Sequence, residues 1–189
     1  PTTNNQYGAI TFSTVNGGVS AYERLRITSG GQTIVNGSTN LGHPNMDDII
    51  VGDGTGNRGI TIASGTSNYG SVAFGDSNDG SGADRYEGLI EYFHNDNSLT
   101  FYTSHTPKLK ITSDGHTNPG ADAVYDLGSS SLRFRNVYTT DLQLSNVGGG
   151  GNEVDGTEGN WTLQEGESDI YMINRKTGKK YKMMLQEIN

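Results

Sequence analysis

The chain has no cysteine among its 189 residues, so neither disulfides nor thiolate metal sites are available to it. That absence suits a protein that has to persist outside a cell without redox chemistry. Tryptophan occurs once, proline four times, and the hydrophobic share is only 31%, against roughly 45–50% in a typical globular domain when glycine is counted as apolar. The 28 glycines bring the chain near that range, but glycine has no side chain to bury, and a single thick core is not expected. No stretch approaches the ~20 consecutive apolar residues of a membrane-spanning helix, so membrane insertion is not expected either. Positive charge is scarce: 13 Lys and Arg against 21 Asp and Glu leave a net charge of −8, which argues against a general nucleic-acid surface. No signal peptide is recognisable and the sequence starts at Pro1 without an initiator methionine. The stretch therefore reads as a fragment or a processed product.

Helical periodicity is nearly missing too. In its place, Gly, Asn, Asp and Ser interrupt short alternating runs rich in Ile, Val, Thr and Tyr, the pattern of short strands and turns. Disordered chains are poor in such residues, so a chain with too little bulk for a thick core is expected to bury a thin apolar face against other copies of itself. Strands are predicted over 9–15, 24–28, 33–35, 59–63, 71–74, 86–94, 98–103 and 108–112, then over 137–139, 142–144, 160–164, 170–174 and 179–185. The pairs Asn16-Gly17 and Asn36-Gly37 are turn candidates, and Lys176-Thr177-Gly178-Lys179 reads as the hairpin joining the last two strands.

An internal repeat carries the most information. ERLRITSGG at 23–31 matches PKLKITSDG at 107–115 with an offset of 84, and ITFST at 10–14 matches LTFYT at 99–103 with an offset of 89. Two strands of fixed pattern separated by a loop of variable length are the mark of a duplicated β module. Period-two alternation puts Leu25 and Ile27 on one face and Arg24 and Arg26 on the other; Leu109 and Ile111 against Lys108 and Lys110 repeat the arrangement. The basic face is read as solvated. The glycine run at 148–151 and the polar stretch to 160 form a flexible linker or an open loop. The expected division is therefore the end of one module at 1–36, a second module at 37–118, a junction at 119–147, a Gly-rich linker at 148–160 and a small β cap at 161–189.

Chemistry is harder to find. Gly52, Gly54 and Gly56 have the spacing of a phosphate-cradling loop, but no helical pattern follows them, and a cluster of β-turns is expected. Asp47, Asp48, Asp53, Asp76, Asp79 and Asp84 are candidate carboxylates for a hard cation, but they follow no calcium-loop spacing. His43, His94, His105 and His116 are far apart in sequence. Glu87 and Glu91 alternate with Leu89 along a strand, which reads as a charged outer face rather than the carboxylate pair of a glycosidase. No catalytic constellation, cofactor or metal site is expected. The functional lead is aromatic: Tyr69, Phe74, Tyr86, Tyr92, Phe93 and Tyr102 cluster in one module, with Tyr92 facing away from Phe93. Rigid rings suit sugar or protein recognition. Tyr69, Tyr92 and Tyr102 are the candidate receptor-binding residues, and the loops at 64–69 and 78–84 the candidate contact surfaces.

The run YDLGSSSLRFRNVY at 125–138 resembles a junction common in tail-fibre and tailspike proteins of bacteriophages, and ERLRITSGG and KLKITSDG resemble the strand that closes each fibre module in those proteins. GNWTLQEG at 159–166 and INRKTGKKY at 173–181 are similar to C-terminal caps of fibre and other structural proteins of cyanophages and related marine phages. Together the matches span most of 25–188. The intramolecular chaperone that often follows such a junction is absent here, so the fibre is expected either to trimerise without one or to come from a longer precursor cleaved after Asn189. The resemblance implies an all-β, elongated, intertwined homotrimeric fibre on the virion, in the extracellular tail, with no enzymatic activity. Its partners are expected to be itself, other virion tail proteins, and a host cell-surface glycan or protein. Leu25, Ile27, Leu109, Ile111, Leu127, Phe134 and Trp161 are then the expected trimer core. Two rival functions are a virion decoration or connector protein, and a fragment of a polysaccharide-degrading tailspike.

Overall fold

The computed structural model of the chain describes residues 8–15, 21–37, 42–76 and 86–188. Among them there is no helix; thirteen strands form three sheets. The chain divides into two units, Pro1–Gly65 and Thr66–Asn189.

The first unit holds one sheet, with strands in the order β1 (Ile10–Val15), β2 (Ala21–Ile27), β3 (Thr33–Val35) and β4 (Ile49–Val51). The first three form an antiparallel meander, and β4 returns parallel to β3. The predicted break after residue 36 thus falls within this sheet. Asn36 does take up the positive φ of 55° that its turn-forming sequence suggests, but the chain leaves it into a crossover to β4 rather than a hairpin. The Asn16-Gly17 turn and the 78–84 loop lie outside the described residues.

The second unit holds the other two sheets. One has the order β5 (Tyr69–Phe74), β6 (Gly88–Phe93), β7 (Ser98–Thr103), β8 (Thr106–Ile111) and β9 (Thr117–Pro119), antiparallel throughout. The other has the order β10 (Asp141–Ser145), β11 (Asn160–Glu165), β12 (Ile170–Asn174) and β13 (Lys180–Lys182), again antiparallel.

The sequence repeat is a structural repeat. In β1–β2, Phe12 pairs with Leu25 and Ser13 with Glu23, so Arg24 is an extra residue bulged out of the ladder. In β7–β8, Phe101 pairs with Leu109 and Tyr102 with Pro107, and Lys108 is bulged at the equivalent place. The next turn is also shared: Gly31 N–H donates to Thr28 O at 3.0 Å and Gly115 N–H to Thr112 O at 2.9 Å. Each turn is closed by the threonine hydroxyl, which accepts from Gln32 N–H in one and His116 N–H in the other, both at 3.2 Å. Gly31 and Gly115 have φ of +89° and +83°, a conformation that costs an L-residue roughly 1–2 kcal/mol. Asn36 N–H and Gly120 N–H then donate to the carbonyls of the bulged residues, Arg24 and Lys108, at 2.8 and 2.9 Å.

Two predicted strands do not form. Residues 59–63 and 137–139 alternate correctly but find no neighbouring strand, and a strand exists only through a ladder. Two strands went unpredicted, β4 and β9, each three residues long. β9 carries Pro119 at the edge of its sheet, where the missing N–H removes no ladder bond.

The glycine run at 148–151 is not a linker between bodies. It lies in the loop of the β10–β11 hairpin, and the third sheet begins at Asp141, ahead of the expected cap. The loop is ordered by its own polar groups. Asn152 Oδ1 accepts from Val154 N–H and Asp155 N–H, and Asp155 Oδ1 accepts from Thr157 N–H and Oγ1. Those donors hold the Asp155 carboxyl below its usual range. A Cβ on Gly151 would stand 2.2 Å from Gly156 O, which is why the loop needs glycine there. At the other end of the sheet, the hairpin expected at 176–179 does join β12 to β13. Asn174 Oδ1 accepts from Lys176 N–H and Thr177 N–H, and Gly178 sits at φ +72°.

Candidate functional site

Strand register assigns every side chain of these sheets to a face. In the first, Ile10, Ile27 and Thr33 form one cross-strand row and Phe12, Leu25 and Val35 the next, all on one face. The opposite face carries Thr11, Arg26 and Ile34. Ile34 is the one large apolar side chain buried among the described residues, 1% exposed. Its ladder neighbour in β4 is Ile50, and Gly37 and Gly52 pack close enough that a Cβ on Gly37 would lie 3.2 Å from Ile34 Cγ2. The face holding Leu25 and Ile27 has no such cover; Ile10, Phe12, Ile27 and Val35 are exposed.

The second sheet repeats this asymmetry. Val72, Ile90, Phe101, Leu109 and Pro119 form one apolar row, and Tyr92, Leu99, Ile111 and Thr117 run beside it. Val72, Ile90, Tyr92 and Leu109 are exposed. The opposite face carries Tyr69, Leu89 and Phe93 beside a polar set that is internally bonded. Lys110 Nζ reaches Asp96 Oδ2 at 2.9 Å, Ser98 Oγ donates to Asp96 Oδ1 at 2.6 Å, and Tyr102 Oη donates to Glu91 Oε1 at 3.0 Å. Ser98 and Lys110 together hold the Asp96 carboxyl below its usual range. Burial, followed by the Glu91 carboxylate, pushes the Tyr102 phenol up to about 12.

The alternation read from the sequence holds from the leucine onward, since Leu109 and Ile111 share a face opposite Lys110, but Arg24 and Lys108 are bulged out of it. The basic residues, however, are not merely solvated. Arg26 pairs with Glu23 at 2.6 Å, and Lys108 donates to Tyr125 Oη at 3.2 Å and lies over its ring. In the single chain Lys108 and Lys110 are half-buried while Leu109 is exposed. The apolar side is the open one.

The third sheet has the same two-sidedness. Leu142, Leu163, Met172 and Tyr181 form a row, with Leu144 and Trp161 in the next, and the Trp161 and Tyr181 rings meet at 5.6 Å. The other face is a hydrogen-bonded network around Thr162, which is 0% exposed. Its hydroxyl donates to Gln143 Oε1 and accepts from Arg175 Nε, each at 2.7 Å, and Gln164 binds the Asp141 carboxylate. Leu127 and Phe134 lie in the segment without strands before β10, 78% and 60% exposed. Of the seven residues expected in a shared core, none is fully buried within its own chain.

The three candidate receptor tyrosines do not form one surface. Tyr69 and Tyr102 share the polar face, Tyr69 being stacked on Phe93 at 4.2 Å. Tyr92 is on the apolar face, opposite to Phe93, with its hydroxyl on Asn97 Oδ1 at 3.0 Å and its ring edge-on to His94. Tyr69 is the most open of the three.

Of the remaining candidates, Asp79 and Asp84 lie outside the described residues and several others are tied into local structure. Asp53 Oδ1 accepts from Thr55 and pairs with Arg58 at 2.7 Å, so the Gly52–Gly56 stretch is a closed turn, and these donors lower the Asp53 carboxyl. Asp47 accepts from Gln32. His105 faces Glu87 at 3.4 Å and the edge of Tyr86. Glu91 is held by Tyr102. Among the described residues no three His, Asp or Glu side chains converge in the manner of a metal site.

The sequence reading missed the exposed apolar residues Val137, Leu142 and Met184 as part of a surface. Alternation across β10 and the run Met183-Met184-Leu185 were the available signals. No family model matches the chain, and no curated protein matches it.

Proposed function

We propose that this chain is a structural and adhesive fibre protein of a bacteriophage, working as a homotrimer outside the cell and presenting a host-receptor-binding surface without catalysis. The observation that carries this reading is the uncovered apolar face on each of the three sheets, with Ile34 alone among large apolar side chains buried within the described chain. Facing the three apolar stripes inward also covers strand edges that would otherwise invite uncontrolled pairing.

The adhesive half of the proposal rests on the resemblance at 125–138 and 159–181 and on the exposed ring of Tyr69. It is tested by binding labelled protein to candidate host cells. Saturable binding competed away by unlabelled protein is the expected result. Binding to purified virions or tail parts but not to cells would replace this reading with that of a connector, and release of reducing sugar from host polysaccharide would replace it with that of a depolymerase. A Leu109→Asp variant is expected to fail to trimerise, because three carboxylates would be desolvated at the shared interior.

A further inference from the structure

The first sheet holds a reactive dipeptide beside a small polar hollow. Asn36-Gly37 follows β3, and a hollow of about 230 Å³ opens there, lined by Tyr22, Glu23, Arg24, Asn36, Gly37 and Asp53. That is room for several waters. Arg24, bulged from β2, reaches across it. Its Nε donates to Thr14 Oγ1 at 2.9 Å, and a terminal guanidinium nitrogen donates to Asn36 Oδ1 at 3.2 Å. The Asn36 side chain is therefore a carboxamide whose oxygen already faces a cation. The neighbouring amide is the matching nucleophile. Gly37 is buried, yet its N–H donates to no oxygen among the described residues, and a buried amide without a protein partner is uncommon.

Other turns of similar sequence lack this combination. Gly115 N–H is given to Thr112 O and Gly156 N–H to Asn152 O, at 2.9 and 3.0 Å, and each follows an aspartate, a poorer electrophile than an amide. Asp53, ahead of Gly54, is held by Thr55 and Arg58. The second copy of the repeat has no side chain to react. Gly120 stands there in the place of Asn36, each N–H donating to the carbonyl of the bulged residue.

We infer that Asn36 is a site of self-modification, at which Gly37 N attacks the Asn36 carboxamide while Arg24 holds its oxygen. Reaction within one dipeptide needs no encounter of separate molecules. The Gly37 nitrogen gives its proton to water in the hollow and bonds to Asn36 Cγ, and the Arg24 guanidinium meets the charge that develops on Oδ1. The side-chain nitrogen takes up a proton and leaves as ammonia, closing a succinimide ring. Water then adds to one ring carbonyl or the other and opens the ring to aspartate or to isoaspartate; no electrons change hands. Aspartate adds a carboxylate to the Arg24 contact. Isoaspartate routes the main chain through the side-chain methylene and lengthens it between Val35 and Gly37. That segment has no slack, because Gly52 N–H is bonded to Val35 O at 2.8 Å and a Cβ on Gly37 would collide with Gly52 O. The isoaspartyl form is expected to loosen the cover over Ile34.

The test incubates the intact chain at neutral and mildly alkaline pH and follows the tryptic peptide 27–58 by mass spectrometry, with isoaspartate read by carboxyl methylation. Conversion of amide to acid localised to Asn36, faster at the higher pH and matched by released ammonia, is expected. Arg24→Gln is expected to slow it several-fold in the folded chain and to leave it unchanged in urea, where the two rates reflect the dipeptide alone. An Asn36 that stays intact in the folded chain overturns the inference. Equal folded rates for the parent and Arg24→Gln overturn it as well, leaving only the ordinary reactivity of an Asn-Gly pair. Thr14→Val, which removes the partner of Arg24 Nε, reads the same contact where Arg24→Gln does not fold, and there too an unchanged rate overturns it.

Discussion

The two copies of the repeat agree in their backbone and differ in what covers them. Each is a meander with one bulged cation, Arg24 or Lys108, followed by a threonine-capped glycine turn. Ile34 and Asn118 occupy the same place in the register, opposite Arg26 and Lys110. Ile34 is buried by β4 and the glycines beside it, whereas Asn118 is exposed at the rim of the second sheet, which instead extends on its other side through β5 and β6. The local unit is therefore self-sufficient in geometry but not in burial. What it packs against is supplied from elsewhere: by a fourth strand and two glycines beside β3 in the first copy, and by nothing among the described residues on the apolar face of either copy.

The sharpest break in this comparison is Ile34→Ala against Asn118→Ala. The first leaves a cavity under β4 and is expected to cost about 2–5 kcal/mol; the second is expected to stay within about 0.5 kcal/mol. Urea unfolding of the two variants measures the difference, and equal losses would mean that the two copies are covered alike. Next in size are Gly31→Ala and Gly115→Ala. A Cβ at either position meets nothing within 4 Å, so only the positive φ is strained, at roughly 1–2 kcal/mol. The two losses are expected to match; an unequal pair would show that one turn carries tension from its surroundings.

The smallest effect is electrostatic. Glu23 beside Arg26 and Asp96 beside Ser98 and Lys110 both have carboxyls lowered in the fold. A lowered carboxyl stabilises above its unfolded value, about 3.9 for Asp and 4.3 for Glu, and that contribution is lost as pH falls through the folded value. Thermal melts of Glu23→Gln and Asp96→Asn are expected to fall slightly below the parent at pH 7 and to converge on it at the acid end. The Asp96–Lys110 pair is exposed and the Glu23–Arg26 pair half-buried, so added salt is expected to narrow the Asp96 gap more than the Glu23 gap.

Much of the fold was legible because it is local. The repeat and the alternation of Leu and Ile with cations are written within nine consecutive residues; the bulge at Arg24 and Lys108 and the threonine-capped turn recur with them but were not read from the pattern. The turn at 176–179 was legible for the same reason. Cover was not legible. Nothing in Thr33-Ile34-Val35 says that Ile50 will return beside it, and β4 and β9 are too short to announce themselves by pattern. Residues 59–63 and 137–139 show the converse, a strand pattern without a partner. The glycines at 148–151 read as a linker or an open loop, and what makes them an ordered loop, the Asn152 and Asp155 side chains, acts within that loop rather than through periodicity. Of the candidate surfaces, the sequence grouped Tyr69, Tyr92 and Tyr102 by proximity along the chain, whereas register separates Tyr92 from the other two.

All of this turns on where the open apolar faces go, and the mass of the protein in dilute solution, measured by light scattering, tests that most directly. Three times the chain mass, reduced to aggregates or smaller species by Leu109→Asp, is the result expected. A stable, cooperatively melting species of a single chain's mass would show that these faces need no partner and would contradict the account.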